Sequence, residues 1–583
     1  MTRPRTTTTA FPAAFGLLLV LAACAPPEAG QAVKTNQNEK HPQASQSIPE
    51  PRQRAEMEPS RPSADAIKTH QFLSTPARLG MQARQSLSLR PGNIQAPDRP
   101  VDRENYAHFL DNPLKRVAKH PVSTFSIDVD TGSYSNVRRM LREGRLPPQD
   151  AVRVEEMINY FSYDYPVPEA GGTPFSVSVE HAVTPWNPNT RLVQIGIQGY
   201  RPNPETIPAS NLVFLLDVSG SMNSQNKLPL LKNSLKMLTR ELDADDRIAI
   251  VVYAGATGVV LESTPGDQHA TIAGALDRLV AGGRTHGAAG IELAYAQADQ
   301  GFIKGGVNRV ILATDGDFNV GTVNFEALKD LAQRKRETGI AITTLGFGTG
   351  NYNDHLMEQL ANAGNGNYAY IDTLSEARKV LVDEMNATLM TIAKDVKIQV
   401  EFNPRVVAEY RLIGYENRLL KREDFNNDAV DAGDIGAGHT VTALYEVALS
   451  GTGGERLDPL RYGDPSTSAH APRATANTDE SRELGFLRLR YKASDGEVSQ
   501  LIEQPIESTS ERRAEESMSN NLAFAASVAA FGQHLRGGTY LEGFSIQDIH
   551  DLASRARGED PFGYRGEFLQ LIRLAEGFQV VRR

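Results

Sequence analysis

NLVFLLDVSGSM, residues 211–222, holds five consecutive apolar side chains and then a loop in which Asp217, Ser219 and Ser221 stand at every second position. A run without polar alternation suits a strand covered on both faces, as in a parallel sheet. Runs of similar texture follow at RIAIVVYA (247–254), GVVLES (258–263), NRVILATD (308–315), IAITTLGFG (340–348) and YAYID (368–372). Between some of them lie LPLLKNSLKMLTREL (228–242), IELAYAQADQGF (291–302) and FEALKDLAQRKRE (325–337), which read as helices. Strands alternating with helices predict an α/β domain with a doubly wound, mostly parallel sheet over residues 206–394.

Open α/β sheets take ligands at the carboxyl ends of their strands. Alternate residues of an extended loop point the same way, so D-x-S-x-S offers one carboxylate and two hydroxyls to a single point. GGRTHG (282–287) sets Thr285 in a glycine-rich loop before a helix, and ILATDGD (311–317) sets Asp315 at the end of another apolar strand. Both belong on the same rim. Oxygen ligands without imidazole or thiolate select a hard cation, Mg²⁺ first, with Mn²⁺ or Ca²⁺ as alternatives. Three hydroxyls and two carboxylates leave the ion incompletely neutralised, and a six-oxygen shell keeps a position open to water. Taken by itself DVSGSM could be a turn with helix-capping serines. Thr285 and Asp315 at the ends of the proper elements argue against that. Asp317 and Asn319 read as outer or turn residues. His286 reads as a rim or packing residue, because imidazole suits zinc better than this oxygen set.

The order DxSxS, Thr, Asp resembles the metal-ion-dependent adhesion site of the von Willebrand factor A family, over roughly residues 205–394. The resemblance implies a Rossmann-like fold and metal ligation by Asp217, Ser219, Ser221, Thr285 and Asp315. It also implies a protein partner whose Glu or Asp displaces the bound water. STFSIDVDTGSYSNVRRML (123–141) and GYRGEFLQLIRLAE (563–576) further resemble the bacterial YfbK-like von Willebrand factor A lipoproteins, which extends the likeness over most of the chain.

Around this domain the texture differs. Arg3 and Arg5 precede the apolar run FPAAFGLLLVLAA (11–23), which meets the only cysteine, Cys24. That layout is a signal peptide, and the run is short of the roughly 20 residues a spanning helix needs. Leu21-Ala22-Ala23-Cys24 resembles a lipobox, which implies lipidation of Cys24 and a membrane anchor. Ala25 where an Asp would signal inner-membrane retention favours the outer membrane. Residues 1–24 are thus read as signal peptide and lipobox. Residues 25–104, rich in Pro, Gln and Ser, read as a disordered tether. Residues 105–205 read as an α+β accessory region, with a strand carrying Phe125 and Ile127 and with alternating runs FSVSVEHAV (175–183) and RLVQIGIQGY (191–200). Alternation returns in VKIQVEF (396–402), HTVTALYEVAL (439–449) and GFLRLRY (485–491), so residues 395–495 are expected to form antiparallel sheet that packs with the strands before residue 206. Residues 496–583 are expected to be helical, from NNLAFAASVAAFGQHL (520–535) and GEFLQLIRLAEGF (566–578).

At 583 residues the chain exceeds one core, and its net charge of −10 without a Lys/Arg cluster excludes a nucleic-acid partner. DVDTG (128–132) resembles the DxDx(T/V) loop of haloacid-dehalogenase-type phosphatases but misses by one place, Gly132 standing where Thr or Val is needed. Asp128 and Asp130 are therefore expected to be turn and cap residues. No phosphate loop and no G-x-S-x-G elbow occurs. The expected function is a binding module and not an enzyme; a structural envelope lipoprotein with a non-functional metal site is the alternative, and a phosphatase the less favoured one.

Overall fold

The computed structural model describes residues 104–169, 172–203, 207–283, 287–316, 325–458, 483–508 and 518–580. The signal, lipobox and tether readings, Cys24 included, lie outside the described residues. In chain order the first strands are β1 (Lys115–Arg116), β2 (Val122–Ser126), β3 (Phe175–Thr184) and β4 (Asn187–Gly199). The α/β domain contributes β5 (Ser210–Asp217), β6 (Arg247–Tyr253), β7 (Thr257–Pro265), β8 (Val307–Thr314), β9 (Ala341–Phe347) and β10 (Tyr368–Ile371). After it come β11 (Thr391–Phe402), β12 (Val407–Ile413), β13 (Gly433–Gly436), β14 (Thr440–Leu449), β15 (Glu483–Ala493) and β16 (Ser499–Glu507).

The α/β sheet runs β10-β9-β8-β5-β6-β7, every pairing parallel except that of the edge strand β7 with β6. Strand β5 lies inside it and is buried along its whole length. Leu212, Phe214 and Leu216 join the core on one face, with Leu231 and Leu235 of the helix Leu228–Leu238; Val213 and Leu215 join the other, with Ile291 and Ala294 of the helix Gly287–Gln300. Two-sided cover is the reason the strand's sequence shows no polar alternation.

The remaining strands form two antiparallel sheets, β1-β12-β14-β4-β3 and β13-β11-β15-β16, with β2 added to β11. One shared core joins them: Val193, Ile195 and Tyr445 from the first sheet meet Phe125, Ile398 and Leu487 from the second. Strand β4 pairs with β14 across the whole α/β domain, Ile197 opposite Val441 and Val193 opposite Tyr445. The α/β domain is therefore an insertion within a β-sandwich.

The stretch expected to be helical from residue 496 opens with a strand. β16 alternates covered Ile502, Gln504 and Ile506 with exposed Leu501, Glu503, Pro505 and Glu507. Pro505 obscures that pattern in the sequence, and it is tolerated because β16 is an edge. The helices Asn520–Leu535, Ile546–Arg555 and Tyr564–Val580 follow as expected and pack on the N-terminal helices Gly132–Arg142 and Val154–Asn159 through Phe161, Phe524 and Phe568.

Arg138 joins these parts. Its guanidinium is buried and donates to Asp372 Oδ2 (2.9 Å) just after β10, to Glu376 Oε2 (2.7 Å), to Tyr160 Oη (2.9 Å) and to Glu567 Oε2 (3.1 Å) on the last helix. Removing one partner of a buried ion network leaves uncompensated charge behind it. Arg138→Met is expected to cost about 3–5 kcal/mol, read as a lowered urea midpoint; an unchanged midpoint would show that this junction carries no stability.

Candidate functional site

Parallel pairing sets the carboxyl ends of β5 and β8 side by side, Leu216 opposite Ala313, so that Asp217 and Asp315 emerge on one rim. Both carboxylates are fully buried. Asp217 Oδ1 accepts from the Ser219 backbone N (2.8 Å) and Oδ2 accepts from Thr314 Oγ1 (2.9 Å), which fixes the carboxyl plane. The Ser219 and Ser221 hydroxyls lie 3.0 Å apart, Ser219 buried and Ser221 exposed, so the site opens to solvent at its Ser221 side. Burial pushes the Asp217 carboxyl up to about 6; hydrogen bonds from Ser219 oppose the shift and the nearby Asp315 charge adds to it.

Thr285 lies outside the described residues, as do His286, Asp317 and Asn319. The glycines before Thr285 are described. Gly282 N donates to Val218 O (2.7 Å) and Gly220 N donates to Gly283 O (3.1 Å), fastening this arm to the DVSGS loop. Gly283 has φ +84°, and a Cβ there would stand 2.8 Å from Gly255 N, so this crossing requires glycine. The structure thus brings together Asp217, Ser219, Ser221 and Asp315 of the five expected ligands.

The sequence reading did not include Lys227. This residue precedes the helix Leu228–Leu238, is buried, and lays its methylenes over Gly348, where a Cβ would stand 2.2 Å from Lys227 Cε. Its ammonium donates to Asp315 Oδ2 (2.7 Å) and to Asn351 Oδ1 (3.3 Å). No pattern in the sequence announces the contact, because it spans 88 positions. The donor set fits a hard divalent ion, two desolvated carboxylates and paired hydroxyls, while the Lys227 ammonium holds one of the carboxylates.

Asp128 and Asp130 require a correction. Asp128 Oδ1 does accept from Asp130 N (3.0 Å), as in a turn, but neither side chain caps the following helix. Both are buried. Arg418 Nη2 bridges Asp128 Oδ1 (3.0 Å) and Asp130 Oδ2 (2.9 Å), and Asp130 Oδ1 accepts from Tyr368 N (2.8 Å). Burial, with repulsion from Asp128, drives the Asp130 carboxyl well above its usual range, and burial drives neighbouring Glu155 and Glu156 up to about 8. Phosphatase chemistry needs an accessible carboxylate nucleophile, and Asp128 and Asp130 are 1% and 2% exposed and tied to Arg418.

Among the described residues no helix is long and apolar enough to cross a membrane. The family described as "von Willebrand factor type A domain" matches residues 211–384, that described as "von Willebrand factor" matches 100–194, and that described as "Uncharacterized protein YfbK, C-terminal" matches 387–578. The chain is 50% identical over 478 residues to the Escherichia coli (strain K12) protein described as "Uncharacterized protein YfbK", covering 81% of each. It is 33% identical over 167 residues to a Synechocystis sp. protein, covering 29% of this chain and 39% of that one. Similar solved structures include a von Willebrand factor type A protein from Catenulispora acidiphila, at TM-score 0.36 and 15% identity over 67% of this chain and 89% of that one. Another is the ArnB paralog VWA2 from Sulfolobus acidocaldarius, at TM-score 0.34 and 13% identity over 70% of this chain and 98% of that one. The chain belongs to the YfbK family and carries its von Willebrand factor type A domain as an insertion in a β-sandwich.

Proposed function

We propose that this protein is an envelope binding module, tethered through lipid on Cys24, that captures an acidic side chain of a protein partner at the rim formed by Asp217, Ser219, Ser221, Thr285 and Asp315, with Mg²⁺ as the cofactor. The observation that carries the reading is the pair of buried carboxylates at the ends of adjacent strands beside two hydroxyls 3.0 Å apart. Bound Mg²⁺ would supply the charge that attracts a partner's Glu or Asp. The chain's own residues do the rest: Thr314 and the Ser219 amide orient Asp217, and the glycine arm keeps side-chain bulk away from the loop crossing.

The Lys227 contact favours a second reading, a structural protein whose rim site is held shut. An ammonium 2.7 Å from Asp315 competes with any cation for that carboxylate. Lys227→Met separates the two. Isothermal titration with MgCl₂ is expected to show binding by the native chain and an affinity raised about tenfold, equal to about 1.4 kcal/mol, in Lys227→Met. Binding only in the variant would favour the shut site.

Asp217→Ala is expected to weaken Mg²⁺ binding by about a hundredfold or more, the loss of a ligand exceeding that of a residue behind one, with the far-ultraviolet circular dichroism unchanged. Partner capture from envelope extracts should fall equally with this variant and with EDTA; capture that persists in both would contradict the proposal. For the tether, Cys24→Ser is expected to move the chain from the membrane pellet to the soluble envelope fraction, and continued pelleting after a carbonate wash would count against lipid attachment there.

A further inference from the structure

Far from the rim in the sequence, Asp128 and Asp130 after β2 meet Glu156 of the helix Val154–Asn159, with one carboxylate oxygen from each lying within 4.8 Å of the others. All three side chains are buried, at 1%, 2% and 0% exposure. Opposite oxygens of a Ca²⁺ shell stand about 4.6–5.2 Å apart, given bonds of 2.3–2.6 Å, so these atoms fit around one ion.

The existing partners do not exhaust the donors. Glu156 Oε2 accepts from Ser133 N (2.8 Å) and Arg153 Nη2 (3.2 Å), while Oε1 accepts from Arg153 Nε. Asp128 Oδ1 and both Asp130 oxygens take Arg418 and backbone donors. Asp128 Oδ2 has no hydrogen-bond partner among the described residues. Asp128 also lines a cavity of about 180 Å³, shared with Asp130, Asn417 and Arg418, and the buried Asn417 Oδ1 is likewise without a partner. A buried carboxylate oxygen left without a partner is costly unless a donor or a cation reaches it.

Charge points the same way. Asp128, Asp130, Glu156, Asp354 and Glu358 share two guanidiniums, Arg153 and Arg418. Five buried acids facing two bases cannot all be ionised unless a further cation joins them; otherwise protons must.

We infer that Asp128, Asp130 and Glu156 form a second, structural cation site, with Ca²⁺ as the favoured ion. Ca²⁺ accepts irregular carboxylate cages, whereas Mg²⁺ holds to octahedral geometry and several waters. The ligands come from the N-terminal region; Tyr368 and Asp354 of the α/β domain and Arg418 of the sandwich touch them or their arginines. An ion here clamps the inserted domain to its surroundings. It is independent of the rim site.

The test uses the full chain with Asp217→Ala, which disables the rim, dialysed against chelating resin and then against 1 mM CaCl₂. Elemental analysis is expected to find one equivalent of Ca²⁺, and the thermal midpoint to rise by about 3 °C or more. Adding Asp128→Asn, whose Oδ1 still accepts from Asp130 N and Arg418, should abolish both. Glu156→Gln in the same background gives an independent loss if the first variant folds poorly. No bound equivalent in the rim-disabled chain, or an equivalent kept by both further variants, overturns the site and shows that protons neutralise the cluster.

Discussion

The whole arrangement depends on one strand buried on both faces that ends in an acid. β5 is held by β6 and β8 in parallel register and covered by helices on either side, so Asp217 emerges at a position the core has already fixed. A carboxylate delivered this way has lost most of its water. Its neighbour on β8, Asp315, is delivered by the same register. Two such acids side by side repel each other unless positive charge intervenes. In this structure Lys227 supplies it.

The same demand recurs at the seam between the inserted domain and the sandwich. There the acids come from separate parts of the chain and the available guanidiniums are too few. Arg138 ties a second junction together, its one guanidinium shared among Asp372, Glu376 and Glu567.

Much of this was legible in the sequence because local rules sufficed. Unbroken apolar runs marked β5 and β8, and the spacing of Asp217, Ser219 and Ser221 marked the rim. Alternation in RLVQIGIQGY and HTVTALYEVAL suggested that strands on either side of the α/β domain belong together, and β4 does pair with β14. What escaped depends on long-range contacts. Lys227 meets Asp315 across 88 positions and Arg418 meets Asp128 across 290, and no periodicity encodes either. Asp128 and Asp130 read as turn residues because their partners were invisible. β16 escaped because Pro505 is permitted only by its edge position, which is a property of the sheet.

The most direct test of the central claim is crystallography with MnCl₂ at the manganese edge. The account predicts an anomalous peak bonded to Asp217 and to the Ser219 and Ser221 hydroxyls, with Lys227 Nζ withdrawn from Asp315. A map with no peak at the rim and Lys227 still paired with Asp315 would contradict it.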